Sequence, residues 1–197
     1  EMVLLDVGAN TGCFSLLAAE PPPHRVIAFE PASANFEVLR LNIEANNLQH
    51  RITPLNLGLW NASSALRMCS LAAQGLSGMS RLLGPEESGA EGMFGAACHV
   101  EEVKLSSLDL VCAEEGRGCG RVVFIKIDAE GSELPVLQGA AAILRRDKPQ
   151  IFVEVDMTPQ PGGDPRGSAG AVNDFLVALG YLPGEDMGGS NLLFVPT

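Results

Sequence analysis

Short apolar runs alternate along the chain with segments whose apolar residues recur at helical spacing. Residues 3–7, 25–30 and 122–128 are apolar, β-branched runs of strand length. Between them, the segment from 33 to about 46 and the segment from 134 to 144 carry apolar residues on one helical face. This alternation predicts an α/β fold with a doubly wound, mostly parallel sheet and helices on both of its faces.

Weaker patterns complete the expected element order. Further strands are predicted at 51–60, 65–68, 100–105, 150–156 and 191–195, and further helices at 13–20, from 107 onward and at 171–179. Residues 71–98 are rich in Gly, Ser and Ala without clear periodicity, so we expect either a functional lid or a disordered stretch there. We expect one domain over 1–197, in a fragment trimmed at its N-terminus, because the chain opens almost directly on a strand.

Composition narrows the function classes. The chain has 197 residues, of which 46% are apolar, and a net charge of −11, which is typical of an acidic globular domain. Such acidity disfavours nucleic acid or an anionic membrane surface as partner, and no apolar run approaches the ~20 residues that span a bilayer. An odd number of cysteines without a C-x-x-C pair indicates reduced thiols in a cytosol-like compartment and no structural zinc site. These cysteines are Cys13, Cys69, Cys98, Cys112 and Cys119.

A glycine turn follows the first strand, where ligands bind in doubly wound sheets. Its spacing is not G-x-G-x-x-G, which weakens a phosphate-binding interpretation. The carboxylate of Asp6 would repel a phosphate but suits an ammonium or sulfonium group. An ordinary strand–helix turn is the alternative. The candidate cofactor-binding residues here are Asp6, Gly8, Ala9, Asn10 and Gly12.

The next two strands end in polar residues. Glu30 ends the second strand, where a carboxylate can accept hydrogen bonds from a ribose diol, so the pair of strand ends predicts an adenosine-type cofactor. Asn56 and Gly58 lie near the end of the third strand, where the adenine is expected. A turn asparagine is an almost equal alternative for Asn56.

Acidic residues follow the most apolar strand. Lys126 within that strand needs a partner, which the sequence offers as Asp128, Glu130 or Glu154. These three acids are also the candidate catalytic residues, and Asp128 is expected to face the cofactor's reactive end as well. Helix capping by Glu130 or Glu133 and a buried ion pair of Glu154 are the structural alternatives. We expect no metal site, with a hard cation on these oxygens as the lesser option.

Five segments together resemble the FkbM family of S-adenosylmethionine-dependent methyltransferases. They are 6–12 (DVGANTG), 28–31 (AFEP), 39–42 (LRLN), 107–109 (SLD) and 126–131 (KIDAEG), with Glu133, Leu137 and Gly139 after the last. The order and spacing of the segments agree with the family from residue 6 to about 154.

The resemblance implies a Rossmann-like class I methyltransferase fold with an antiparallel last strand. It also implies S-adenosylmethionine as cofactor and O-methylation of a hydroxyl on a small molecule, carbohydrate or natural product. Family roles transfer to Asp128 beside the methionine end and, for the rest of the cofactor, to Asp6, Gly8, Asn10, Gly12 and Glu30. Two alternatives remain at this point: an NAD-dependent oxidoreductase, which the missing third glycine weakens, and a non-catalytic nucleoside-binding module.

Overall fold

The predicted elements occur in the predicted order, with further short strands between them. A computed structural model describes residues 2–20, 24–70, 80–83, 99–114, 118–155 and 168–197. In chain order the elements are β1 (Met2–Val7), α1 (Cys13–Ala18), β2 (Arg25–Phe29), α2 (Ser33–Ala45), β3 (Ile52–Leu55), β4 (Gly58–Leu59), β5 (Ser64–Ser70), β6 (Ser80–Leu82), β7 (His99–Ser106), α3 (Leu108–Ala113), β8 (Arg121–Ile127), α4 (Glu133–Gln138), α5 (Ala141–Asp147), β9 (Gln150–Glu154), α6 (Ser168–Ala178), β10 (Glu185–Gly188) and β11 (Asn191–Phe194).

The main sheet has seven strands in the order β10-β11-β9-β8-β1-β2-β3. The pairs β8–β1, β1–β2, β2–β3 and β8–β9 are parallel, whereas β11 runs antiparallel to both of its neighbours. The predicted α/β class, with its mostly parallel sheet and antiparallel last strand, is therefore confirmed. The parallel strands direct the carboxyl ends of β1, β2 and β8 to one edge, where the candidate residues follow them.

A second sheet, with the order β4-β7-β5-β6, was not predicted. The stretch 51–60 was expected to form one strand, but it divides into β3 in the main sheet and the two-residue β4, which pairs with β7. β5 and β7 form an antiparallel ladder from Ser64 to Ser70. Part of the segment expected to be irregular, 80–82, forms β6, and 71–79 and 84–98 lie outside the described residues.

The strands of the main sheet bury both faces. Val3, Leu5 and Val7 belong to the larger core cluster, to which α3, α4, α5 and α6 contribute. Val26 and Ala28 of β2 belong to a second cluster with residues of α1 and α2. This division follows from the two-residue period of a strand, and the side chains of β1 that face α1 include the acidic Asp6.

The prediction that the cysteines are reduced thiols is wrong for most of those that the structure describes. Cys112 and Cys119 form a disulfide across seven positions, Cys69 is also disulfide-bonded, and Cys13 is free and exposed. The absence of a C-x-x-C motif was a weak guide, because a disulfide needs adjacency in space rather than a particular spacing. Disulfides are uncommon in the cytosol, so these bonds count against the predicted cytosol-like compartment. The compartment itself stays a prediction.

Several boundaries differ from the sequence prediction. α2 begins at Ser33 with Ala32 as its N-cap, and the Ser33 hydroxyl donates to a carboxylate oxygen of Glu101 on β7. The helix expected after residue 133 is divided into α4 and α5, and β10 was not predicted. No helix in the described part of the chain has both the length and the apolar character needed to cross a membrane.

Candidate functional site

The glycine turn packs directly against the ends of the neighbouring strands. The backbone N–H groups of Gly8 and Ala9 both donate to the carbonyl of Phe29, at 3.0 and 2.9 Å. Gly8 has a φ of +73°, and a Cβ there would collide with the backbone oxygen of Asp128. Only glycine combines this left-handed conformation with so close a backbone approach, so the turn brings the ends of β1, β2 and β8 together.

Glu30 fixes the position of this turn through hydrogen bonds to its carboxylate. Its Oε2 accepts a hydrogen bond from the Asn10 N–H at 2.7 Å, and its Oε1 accepts one from the Ala32 N–H at 2.9 Å. The side chain of Asn35 also hydrogen-bonds to Glu30, and these three donors oppose the burial that raises the pKa of its carboxyl. A carboxylate has about four acceptor positions, so Glu30 retains room for about one more donor.

Asp6 lies in the protein interior under the glycine turn, away from solvent. It is fully buried, and its Oδ2 accepts a hydrogen bond from the Ser15 hydroxyl at 2.5 Å. Lys126 Nζ lies 3.5 Å from Asp6 Oδ1 and 3.3 Å from Asp128 Oδ2, and it donates to the Gly8 carbonyl at 3.0 Å. Burial raises the pKa of Asp6, while Lys126 and Ser15 act in the opposite direction.

The partners of Lys126 therefore differ from the predicted set. Of the three acids that the sequence offered, Asp128 is paired with Lys126, and the second acid is Asp6 on the adjacent strand. Asp6 and Lys126 are direct register partners between β1 and β8. Lys126 thus contacts both the glycine turn, at the Gly8 carbonyl, and Asp128 after β8.

A cavity, termed here the main cavity, opens above these strand ends. The predicted site residues that line it are Gly8, Asn10, Glu30, Gly58, Asp128 and Glu130. The predicted residues that do not line it are Asp6, Ala9, Gly12, Asn56 and Glu154. Gly12 still shapes the turn, because it has a φ of +96° and leaves no space for a Cβ against Leu39.

Asn56 and Gly58 have separate roles at the end of β3. The exposed Asn56 donates its Nδ2 to the backbone carbonyls of Glu30 and Pro31, at 2.9 and 3.0 Å. Its amide therefore fixes the chain after β2 instead of pointing into the main cavity. Gly58 is buried in the cavity wall, and a Cβ there would lie 2.5 Å from Leu105 Cδ2.

The second sheet supplies a wall of the main cavity that sequence reasoning missed. It contributes Met68, Ser80, Leu82 and Leu105. Met68 and Leu105 lie in strands that the sequence predicted, but Ser80 and Leu82 gave little signal, because β6 has three residues inside a stretch without periodicity. Two buried oxygens in residues of the cavity wall, Asn10 Oδ1 and Ser80 Oγ, have no hydrogen-bond partner among the described residues.

A second, polar cavity adjoins the first and is termed here the acidic cavity. It is lined by Asp128, Glu130, Gly131, Glu133, Glu154, Val155 and Ser190. A buried ion pair was the structural alternative for Glu154, but its side chain is exposed, because it ends β9 and faces this open cavity. Glu133 is buried, and its Oε1 accepts the Gly131 N–H at 2.8 Å, so it supports the turn after β8.

Glu130 belongs to the walls of both cavities, as does Asp128. Its backbone is in the left-handed region, with a φ of +49°, and its side chain is exposed. Burial and, after it, the charges of Asp128, Glu154 and Glu133 raise the pKa of Glu130 to about 7. A carboxyl that is half ionised near neutral pH can accept a proton from a bound molecule.

In the ranges that the structure describes, no three His, Cys, Asp or Glu side chains are arranged to hold a metal ion. The absence of a metal site stays a prediction.

The chain matches the family described as the methyltransferase FkbM domain over residues 6–183. It is 32% identical over 157 residues to methyltransferase sdnD of Sordaria araneosa, covering 69% of this chain and 59% of that protein. It is 28% identical over 148 residues to methyltransferase 1 of Beauveria bassiana, covering 71% and 58%. The chain thus spans less than two thirds of either relative.

A similar fold occurs in the crystal structure of methyltransferase FkbM from Methylobacillus flagellatus. The two superpose with a TM-score of 0.60 at 16% sequence identity, over 98% of this chain and 43% of that one. At this identity the likeness concerns the fold alone.

Proposed function

Because the chain belongs to the FkbM family of methyltransferases, we propose that the protein transfers a methyl group from S-adenosylmethionine to a hydroxyl oxygen of a small polar acceptor. The family uses S-adenosylmethionine as its cofactor. The observation that carries the oxygen acceptor is the position of Glu130, a carboxyl with a pKa of about 7 at the junction of the two cavities. Family membership removes the basis for the NAD-dependent alternative.

The main cavity fits the cofactor in its chemistry. Phe29, Leu57 and Leu105 give it apolar walls suited to a nucleobase. The remaining acceptor position of Glu30 suits a ribose hydroxyl, and the unpartnered Asn10 Oδ1 suits another donor. Asp128, held by Lys126 at 3.3 Å, provides negative charge for the methionine end. When bound, the cofactor supplies a methyl group that its sulfonium already activates.

The acidic cavity is proposed as the acceptor site. Since Glu130 lies in the walls of both cavities, it can accept the proton of an acceptor hydroxyl that approaches from the acidic side. Burial and, after it, the charges of Asp128 and Glu154 raise the pKa of Glu130 to about 7, so that about half of this carboxyl is ionised at neutral pH and can accept a proton. Alignment of the oxygen with the methyl group supplies the larger part of the acceleration.

The charge of the acidic cavity sets a limit on the acceptor. Four carboxyl groups line it, those of Asp128, Glu130, Glu133 and Glu154. They repel an anionic acceptor and tolerate a neutral polyol or a cation. The same charges favour a sulfonium cofactor over its neutral thioether product, which assists product release.

The test uses S-adenosylmethionine labelled with ¹³C in the methyl group. The protein is incubated with a panel of neutral, amino-bearing and carboxylate-bearing hydroxyl compounds, and release of S-adenosylhomocysteine is measured. NMR of the product then identifies the atom that received the methyl group. We expect O-methylation of a neutral or amino-bearing compound. Methylation at nitrogen or carbon, or a preference for carboxylates, would refute the proposal. The same assay compares Glu130→Gln, which removes the proposed proton acceptor, with its matched control Glu44→Gln on the exposed side of α2.

A further inference from the structure

Ser80 carries an unpartnered hydroxyl within the wall of the main cavity. Its Oγ is buried and has no hydrogen-bond partner in the described part of the chain, and the residue lines the cavity. Ser80 and Leu82 are two positions apart on β6, so they share a face, and both belong to the cavity wall. A buried hydroxyl is normally hydrogen-bonded, which indicates that a ligand atom completes this one.

The wall that carries Ser80 lies beside the end of β2. Met68, which pairs in register with Leu82, packs in one cluster with Ala32, two positions after Glu30. Glu101 of the same sheet accepts hydrogen bonds from the backbone N–H and hydroxyl of Ser33 at the start of α2. The second sheet is therefore anchored at the β2 side of the main cavity.

We propose that Ser80 is a specificity residue for the nucleobase of the cofactor, an inference that rests on the proposed function. Leu82 on the same face of β6 and its register partner Met68 lie beside it and line the same cavity, and such an apolar surface suits the face of a flat ring. Glu30 is nearly saturated by the protein's own donors, so its remaining position goes to the ribose. The Ser80 hydroxyl supplies the directional contact to the adenine edge.

Serine suits this position because its hydroxyl both donates and accepts, and the edge of adenine offers both kinds of partner. The hydroxyl discriminates through the penalty of leaving its buried oxygen unpaired when the wrong group faces it. The apolar surface alone would accept any ring of similar size. Ser80 thus acts on selection of the cofactor rather than on the acceptor.

The experiment is calorimetric titration of the wild type and of Ser80→Ala with two probes, S-adenosylhomocysteine and adenosine. We expect the substitution to weaken both by the same factor, about threefold to tenfold, which corresponds to one net hydrogen bond. Ser80→Thr keeps the hydroxyl and should restore part of the affinity. Ser64→Ala, exposed on β5 of the same sheet, is the matched control and should bind like the wild type. The unliganded Ser80→Ala variant should melt no lower than the wild type, because it loses an unpartnered group.

Three results would overturn the inference. Unchanged affinity of Ser80→Ala for both probes would mean that the hydroxyl does not touch the ligand. A loss for S-adenosylhomocysteine without a loss for adenosine would move the contact to the amino acid part. A lower melting temperature of the unliganded variant with unchanged affinity would make Ser80 structural. A wild type that binds neither probe would instead refute the proposed function, so the two failures are distinguishable.

Discussion

Replacement of Glu130 by Gln tests whether the junction of the two cavities holds a proton acceptor. The pKa of this carboxyl is raised from an ordinary 4.5 to about 7. At pH 5.5, 1.5 units below that pKa, about 3% of the carboxyl is ionised, and at pH 8.5 about 97% is. A step that needs the ionised form should therefore rise about thirtyfold between these pH values.

The titration itself can be measured without knowledge of the acceptor. In ¹³C NMR of the side-chain carboxyl carbons, we expect one glutamate signal with a midpoint near pH 7 that is missing from Glu130→Gln. Glu154→Gln removes one of the charges that raise this pKa, so the midpoint should move to lower pH. Glu44→Gln on the exposed side of α2 should leave it in place.

The same proton affects folding. The folded protein keeps the Glu130 proton up to about pH 7, whereas the unfolded chain releases it near pH 4.5. The folded state binds more protons in this window, so the group lowers stability as the pH rises from about 4.5 to 7. Chemical denaturation should show this fall in the wild type and a smaller one in Glu130→Gln.

The proposed role of Glu130 would be refuted if the wild-type signal that is missing from Glu130→Gln titrated between pH 4 and 5. It would also be refuted if Glu130→Gln kept the wild-type pH profile of methyl transfer to an acceptor found in the screen. In either case the proton would have to leave by another route.

Further predictions concern the packing beneath the site. Lys126→Met leaves the buried Asp6 carboxylate without its cation, so the free energy of unfolding, measured by urea denaturation, should fall by about 3 kcal/mol. The double variant Lys126→Met with Asp6→Asn should recover part of this loss. If the two substitutions instead destabilise the protein additively, the ion pair does not stabilise it. Gly8→Ala brings a Cβ against backbone and should abolish S-adenosylhomocysteine binding in calorimetry. Gly12→Ala meets a movable leucine side chain and should retain binding with about 1–3 kcal/mol lower stability; equal loss in both variants would contradict the distinction. Cys112→Ser opens a short disulfide loop and should lower the free energy of unfolding by about 2–3 kcal/mol on the chain-entropy model. Thermal melting measures this loss, and peptide mass spectrometry without reductant detects the disulfide itself. An unchanged melting temperature would count against a formed disulfide.

The sequence was a good guide where local pattern determines structure. Buried strands such as β1 and β8 are largely apolar runs, and the glycine turn after β1 requires backbone freedom that few residues offer. The acids at the strand ends followed from the parallel topology. These features need no knowledge of distant contacts.

Features that depend on contacts between distant segments were not predicted. The pairing of Asp6 with Lys126 depends on the register of β1 against β8, which no local pattern specifies. The second sheet depends on β4, a two-residue strand whose partner lies more than 40 positions later. Ser80 is one of many serines in the sequence, and only the closed wall of the main cavity distinguishes it.

Glu30 limits how the protein can be re-engineered. Its carboxylate accepts hydrogen bonds from the turn after β1 and from the chain that enters α2. A substitution of Glu30 that is meant to admit another cofactor would therefore remove the hydrogen bonds that hold both loops. A safer starting point for a library that targets synthetic sulfonium donors is Leu82, which lines the cavity and makes none of the hydrogen bonds by which Glu30 holds those two loops. The domain thus separates the part that must stay constant from the part in which variation is affordable.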